Sequence, residues 1–442
     1  MSMRHRVTCG GFAGTALAIA LVAAFGAAAL GETISVTPET LGAALEKANP
    51  GDTISLADGT YKGGAWMRRS GTPEAPIVIK AAGEGAVFDG GDTCLQVEGA
   101  SWVVVEGIRF QNASVAGMKV RKGEAQAADH VTVRNCVFAN NKNWGIITSH
   151  MAFLTIEGCE SFGAKVEHGI YVANSGDDPV VRNNRVHDNA GNGIHMNGDP
   201  EMGGDGIISR ALVEGNVIWE NGKRGGSGIN LTHVQDSVFR NNLLYNNYAG
   251  GFTLYYDTGG EAHASKRNQV YNNTVYFRPG EGKFGIVLRK SSTDCKVENN
   301  VFYGGARGAI YAEPSCIQGL VMDYNVIANH AGQLLIGDRS DNDAAGAVKT
   351  WKELGVEAAY DGKEGIEISV AEWQKKGLDT HSSFGAAPKF ADVAAGNFRL
   401  LPGSVGIDMG TALGDLVARD IAGTARPQGK GWDCGCYELK AE

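Results

Sequence analysis

The chain has 442 residues, 40 of them Lys or Arg and 49 Asp or Glu, for a formal charge of −9. That balance argues against a nucleic-acid binder, although a local cluster of cations can still hold a polyanion. With 63 glycines, the composition points to many tight turns between short strands.

Residues 1–31 read as a secretory signal peptide, with Arg4, His5 and Arg6 as a basic start and an alanine-rich apolar run to about Leu30. The protein is therefore expected to be secreted or periplasmic, with no membrane segment in its mature form. The remaining cysteines are 94, 136, 159, 295, 316, 434 and 436, an odd number, so no disulfide framework is expected. Residues 32–75 read as an N-terminal cap and first strands. Ile34-Ser-Val opens a strand, and a helix is predicted from Thr37 to Asn49, with Thr37 as its cap and Pro38 at its first position.

From residue 76 to 337 one unit recurs. It opens as Gly117-Met-Lys-Val, Gly145-Ile-Ile-Thr, Gly169-Ile-Tyr-Val, Gly193-Ile-His-Met, Gly228-Ile-Asn-Leu, Gly251-Phe-Thr-Leu and Gly285-Ile-Val-Leu. A second phrase supplies a column of Ile108, Cys136, Cys159, Asn184, Asn216, Asn242, Asn273, Asn300 and Asn325. A phrase recurring at about 25 residues, with apolar residues alternating around it, is the signature of stacked short strands. The expected fold is all-β, a right-handed parallel β-helix with an N-terminal capping helix. The Asn column reads as a structural stack that satisfies buried amides. Residues 338–442 read as a closing region with helical patches at Ala344–Leu354 and Val370–Lys376.

Strand alternation assigns the side chains that face out. One outward column runs Lys119, Ile147, Tyr171, His195, Asn230, Thr253, Val287, Tyr311, and the next runs Arg121, Ser149, Ala173, Asn197, Thr232, Tyr255, Arg289, Glu313. Tyr, His and Asn crowd the middle rungs, where an idle surface favours Thr, Ser, Lys and Glu. Such a set can take a proton from the carbon next to a carboxylate and deliver one elsewhere, which is the chemistry of uronate polymers. His195 is the expected base, Tyr171 or Tyr255 the acid or partner base, and Arg289 the carboxylate ligand. Asn197, Asn230, His168, His233, Lys290, Lys119 and Arg121 are expected to bind substrate. The acidic loop of Asp199, Glu201 and Asp205 matches no fixed calcium pattern and reads as solvated, so no metal ligand is assigned.

Asn49-Pro-Gly-Asp-Thr-Ile-Ser-Leu-Ala-Asp-Gly-Thr-Tyr61, followed by Pro76-Ile-Val-Ile, resembles the start of β-helix polysaccharide lyases related to chondroitinase B and alginate lyases. Leu288-Arg289-Lys-Ser with Val297-Glu-Asn-Asn300 resembles their rung carrying a catalytic Arg. The resemblance spans residues 32–330 and implies an exported lyase that cleaves an acidic polysaccharide by β-elimination. It also implies a Lys base, whose position here is Tyr255, and calcium ligands, whose positions are Tyr248 and Gly250. Arg289 matches, whereas those positions depart from the pattern. A Tyr/His mechanism, similar to that of alginate epimerases and metal-free lyases, fits these residues better, with Ca2+ the one candidate cofactor. The alternatives are a C5-epimerase, a β-helix glycoside hydrolase and a non-catalytic glycan-binding protein. The expected partner is an acidic polysaccharide, with no nucleic acid, and the protein is expected to be a monomer.

Overall fold

A computed structural model describes residues 31–124, 128–329, 336–337, 344–360 and 365–440. The segment read as a signal peptide lies outside the described residues, apart from Gly31. No helix among the described residues is long and apolar enough to cross a membrane.

The chain winds as a right-handed parallel β-helix whose wall is three parallel sheets. Among the described residues sheet A has 12 strands beginning at Thr33–Val36, sheet B has 12 beginning at Gly59–Lys62, and sheet C has 13 beginning at Ala65–Met67, of which Ile366–Ile368 and Ala358–Tyr360 join through antiparallel pairs. One rung runs Ile170–Ala173 in sheet C, Val180–Arg182 in sheet A and Arg185–His187 in sheet B, then returns to sheet C at Ile194–Asn197. Inward positions are apolar and fully buried, as at Ile170, Val181, Val186 and Ile194. In the first rungs the interior holds a stack of Tyr61, Phe88, Phe110 and Phe138, with successive ring centroids 5.3, 5.3 and 5.4 Å apart.

The asparagine column is a continuous ladder at the turn from sheet A to sheet B. Asn184 donates its backbone N–H and its Nδ2 to Oδ1 of Asn216, at 3.0 and 2.9 Å. The same pair of bonds links Asn216 to Asn242, Asn242 to Asn273, Asn273 to Asn300 and Asn300 to Asn325. Cys159 stands beneath Asn184 and donates its N–H to Asn184 Oδ1 at 2.9 Å. A second ladder, Asn189 to Asn221 to Asn247, lies where sheet B turns into sheet C. It explains the opening glycines. A Cβ on Gly193 would stand 2.5 Å from Ile218 Cγ2 and 3.1 Å from Asn221 Nδ2, closer than the packed turn allows.

The N-terminal helix runs Leu41–Lys47, and its buried Leu41, Ala44 and Leu45 join the core. It starts later than Thr37, because Thr37 accepts the N–H groups of both Thr40 and Leu41 and so closes a turn before the helix begins. After the last rungs come the helices Ala344–Glu353 and Val370–Lys375. The tail then folds back along the flank, where Phe398 packs 5.1 Å from Tyr245 and Arg426 pairs in full burial with Glu438 at 2.7 Å. Among the described residues all seven cysteines are free and buried.

Replacing Asn242 by Ala leaves the fully buried N–H and Nδ2 of Asn216 without their acceptor. The expected loss is about 3 kcal/mol of stability, read from the midpoint of denaturant unfolding. A change of only a few tenths would mean the ladder adds nothing to the rung stacking.

Candidate active site

Strand pairing sets the two outward columns on sheet C. Lys119, Ile147, Tyr171, His195, Asn230, Thr253, Val287 and Tyr311 stand one above another in register. Arg121, Ser149, Ala173, Asn197, Thr232 and Tyr255 form the neighbouring column. Leu254 pairs with Leu288, so Arg289 follows at the level above Tyr255.

The centre of the columns is an aromatic cluster. The rings of Tyr171 and His195 stack with centroids 4.8 Å apart and an interplanar angle of 20°. His168 meets both edge-on, at 5.3 Å from Tyr171 and 4.7 Å from His195. His195 is 8 % exposed, and its Nδ1 donates to the Asn230 carbonyl at 3.2 Å. That bond fixes the tautomer, so Nε2 keeps its lone pair and has no protein partner among the described residues. Burial holds the His195 pKa down to about 4, against the opposing effects of the Asn230 carbonyl and Asp257. His195 is therefore neutral near neutral pH. Burial pushes the Tyr171 hydroxyl up, so it stays protonated, while an Asn197 Nδ2 hydrogen bond at 3.5 Å acts the other way.

The other expected site residues divide. His168 Nδ1 accepts the Asn192 N–H at 3.0 Å, and burial, then the neighbouring His195, drives its pKa far down, so it supports the two rings as a neutral group. His233 was expected to bind substrate, but it is fully buried and cannot touch one. It sits at a left-handed corner, φ 58°, that turns its ring under the next loop. There its Nε2 faces Asp257 Oδ1 at 3.0 Å and its Nδ1 lies 3.1 Å from Asn197 Oδ1. Asn230 and Tyr255 line a cavity of ≈ 370 Å³ together with Arg289. Arg289 Nε donates to Glu313 Oε1 at 3.0 Å, and the Lys290 N–H binds the other oxygen of that carboxylate at 2.6 Å. The Lys290 ammonium lies 5.4 Å from the Tyr256 ring centroid. Lys119 and Arg121 stand two rungs below Tyr171. Arg121 is paired with Glu98, and burial, then Arg121, lowers the Lys119 pKa.

The family's calcium finds no matching donor set. Tyr248 and Gly250 offer no carboxylate, and among the described residues no three His, Cys, Asp or Glu side chains gather as a metal site. In the acidic loop, Asp199 Oδ1 accepts the Glu201 N–H at 3.2 Å and Asp205 Oδ1 the Ile207 N–H at 3.0 Å, so both cap their own backbone. Asp177 and Asp178, a pair that suits hydrolysis, are both bound to Arg210. Sequence reasoning did not find Trp144, 6.1 Å from Tyr171, or Lys283 and Arg307 on the cavity wall. Lys283 and Arg307 come from loop ends just before sheet C strands, whereas Trp144 opens the strand Trp144–Ser149, one place before the glycine from which the repeat was counted.

A family model described as Chondroitinase B matches residues 36–317. The chain belongs to the chondroitinase B family. It is thus a polysaccharide lyase by family. Among solved structures, this chondroitinase B family member is similar to pectate lyase Pel9A, with a TM-score of 0.55, 16% identity, and 92% of this chain and 96% of that chain covered. It is also similar to an alginate lyase from Paenibacillus sp. str. FPU-7, with a TM-score of 0.47, 23% identity, and coverage of 60% and 93%. No curated protein matches the chain. The likeness to Pel9A is one of fold.

His195 titrates near 6.5 when unfolded and near 4 when folded, so the unfolded chain binds more protons between those values. Its contribution to stability is complete above about pH 6.5 and is lost as the pH falls toward 4. Imidazole NMR should show the Nδ1–H tautomer of His195 down to about pH 4; a midpoint near 6.5 would show that the ring is solvated.

Proposed function

We propose that this lyase cleaves a uronate polymer by β-elimination at the His195–Tyr171 pair. The observation that carries the reading is the stacked arrangement of a neutral imidazole with a bare Nε2 and a protonated phenol on adjoining rungs. His195 Nε2 takes the C5 proton, the C4–C5 double bond forms, and the C4–O4 bond breaks. Tyr171 donates its proton to the departing O4. Asn230 and Asn197 supply polar contacts to the carboxylate that carries the developing charge. A bound anionic sugar raises the pKa of His195 through its own charge, which makes the imidazole a stronger base in the complex than in the free protein.

Both groups rise from one sheet and so address the same face of a sugar lying along it. That favours elimination over C5 epimerisation, in which the returning proton must arrive from the opposite face. Hydrolysis needs two carboxylates flanking the bond, and the Asp177–Asp178 pair is engaged by Arg210. Export to the periplasm or medium suits such a substrate and belongs to the same proposal.

Incubation with alginate, pectate, glucuronan and glycosaminoglycans should yield ultraviolet-absorbing unsaturated ends on at least one polymer. Saturated reducing ends alone would replace elimination with hydrolysis. His195→Ala should lower kcat by about 10³-fold, as expected for loss of a general base; wild-type turnover would remove His195 from the mechanism. Activity should survive EDTA, because the family's calcium positions hold Tyr248 and Gly250. Loss on chelation with recovery on added Ca2+ would place a cation in the reaction.

A further inference from the structure

His233 and Asp257 take no part in the proposed reaction, yet they complete a line of polar side chains that ends on Tyr171. The line takes one residue from each of four successive rungs of sheet C. Tyr171 and Asn197 lie on Ile170–Ala173 and Ile194–Asn197, His233 follows the strand Ser227–Thr232, and Asp257 comes after Gly250–Tyr255.

The direction of the Asn197 amide follows from its neighbours. The Asp199 backbone N–H lies 3.1 Å from one end of the amide and can only donate, so that end is Oδ1. The other end is Nδ2, which donates to the Tyr171 hydroxyl oxygen at 3.5 Å. Oδ1 also faces His233 Nδ1 at 3.1 Å, a contact that attracts when Nδ1 carries a proton. The same Asp199 N–H stands 3.2 Å from Nδ1, shared between ring and amide. With a lone pair on Nδ1, ring and Oδ1 would repel, and the amide would gain by turning Nδ2 toward the ring. Oδ1 would then accept the Tyr171 proton and turn it away from a bound sugar.

The far side of the ring holds it in place. His233 Nε2 faces Asp257 Oδ1 at 3.0 Å and the Thr258 carbonyl at 3.2 Å, so oxygen acceptors stand at both ring nitrogens. That setting suits a ring protonated at both, with Asp257 as its counter-ion. Burial holds the His233 pKa below its ordinary value, and Asp257 opposes that. The other titratable groups around the ring are Asp199, His195 and His263, the last meeting it edge-on at 6.2 Å. His233 is fully buried, so solvent does not substitute for its contact with Asn197.

We propose that His233, held by Asp257, is a positioning residue whose Nδ1–H fixes the Asn197 amide, so that Nδ2 meets the Tyr171 oxygen and the phenol proton is left for the departing O4. This rests on the functional reading above and adds to it the device that orients the acid. The Tyr171 O–H bond breaks as its proton passes to O4, and the Asn197 Nδ2–H then steadies the phenolate.

The test uses the full-length protein with tyrosine labelled by 13C at Cζ, so that the Tyr171 titration is read directly. In His233→Gln the side-chain amide nitrogen stands where Nε2 stood and nothing donates to Asn197; in His233→Asn it stands where Nδ1 stood. The Gln variant should move the Tyr171 midpoint to higher pH and lower kcat about tenfold at unchanged KM, the worth of one hydrogen bond in the transition state. His233→Asn should restore both. Equal Tyr171 midpoints in the wild type and the Gln variant would overturn the proposal. So would equal losses of kcat in the Gln and Asn variants, the mark of a purely structural role. Should the Gln variant not fold, the Asn197 side-chain amide signal decides: it should shift as His233 titrates in the wild type and again in Tyr171→Phe, and a signal blind to either sinks the idea. If the wild type makes no unsaturated product while the Tyr171 midpoint follows His233 as stated, the proposed elimination falls and the positioning role stands.

Discussion

Everything in this molecule depends on holding successive rungs in strict vertical register. Parallel strand pairing alone fixes the spacing, yet every turn between sheets leaves polar groups that face the interior. The asparagine ladders solve this at two of the three turns. Each Oδ1 accepts two bonds from the rung beneath, so a one-residue slip breaks both at once and turns every outward side chain inward. The outward columns of sheet C are consequently rigid lines of side chains, and the stacking of Tyr171 on His195 inherits its geometry from the backbone.

That origin explains the electrostatics of the candidate site. A strand position on a solvated sheet would leave a histidine near its ordinary pKa. Here His168 fits edge-on against two rings, the Asn230 carbonyl takes one ring nitrogen, and little water reaches His195. Burial thereby keeps the His195 imidazole neutral and the Tyr171 phenol protonated side by side. Among the described residues no group of three or more His, Cys, Asp or Glu side chains gathers as a metal site there.

The rungs were legible in the sequence because one phrase repeats, and the outward columns followed from counting two residues at a time. Asn184, Asn216 and Asn242 were visible as a column for the same reason. Asn189, Asn221 and Asn247 keep a constant offset from them, a signal that was present but not used. His233 was misplaced because a corner residue with positive φ leaves the strand alternation, and its burial depends on the Asp257 loop folding over it. Lys283 and Arg307 belong to loop ends, and their positions are set by three-dimensional closure of the rung. Periodicity carries no information about those.

The first asparagine ladder also has a direction. From Asn216 to Asn325 each Oδ1 accepts from the Asn of the rung beneath, and from Asn184 to Asn300 each Nδ2 gives one N–H to the Asn above, with its other N–H on a backbone carbonyl below. The amide-to-amide bonds therefore all run one way along the column and polarise one another. At its upper end Asn325 donates Nδ2 to Oδ1 of the buried Asp379 at 3.0 Å, and Trp373 Nε1 donates to the other oxygen at 2.9 Å. A carboxylate accepts but has no N–H with which to continue the chain of bonds. The polarised column therefore ends on an acceptor of matching sign, and the number of rungs has a chemical terminator as well as a steric one.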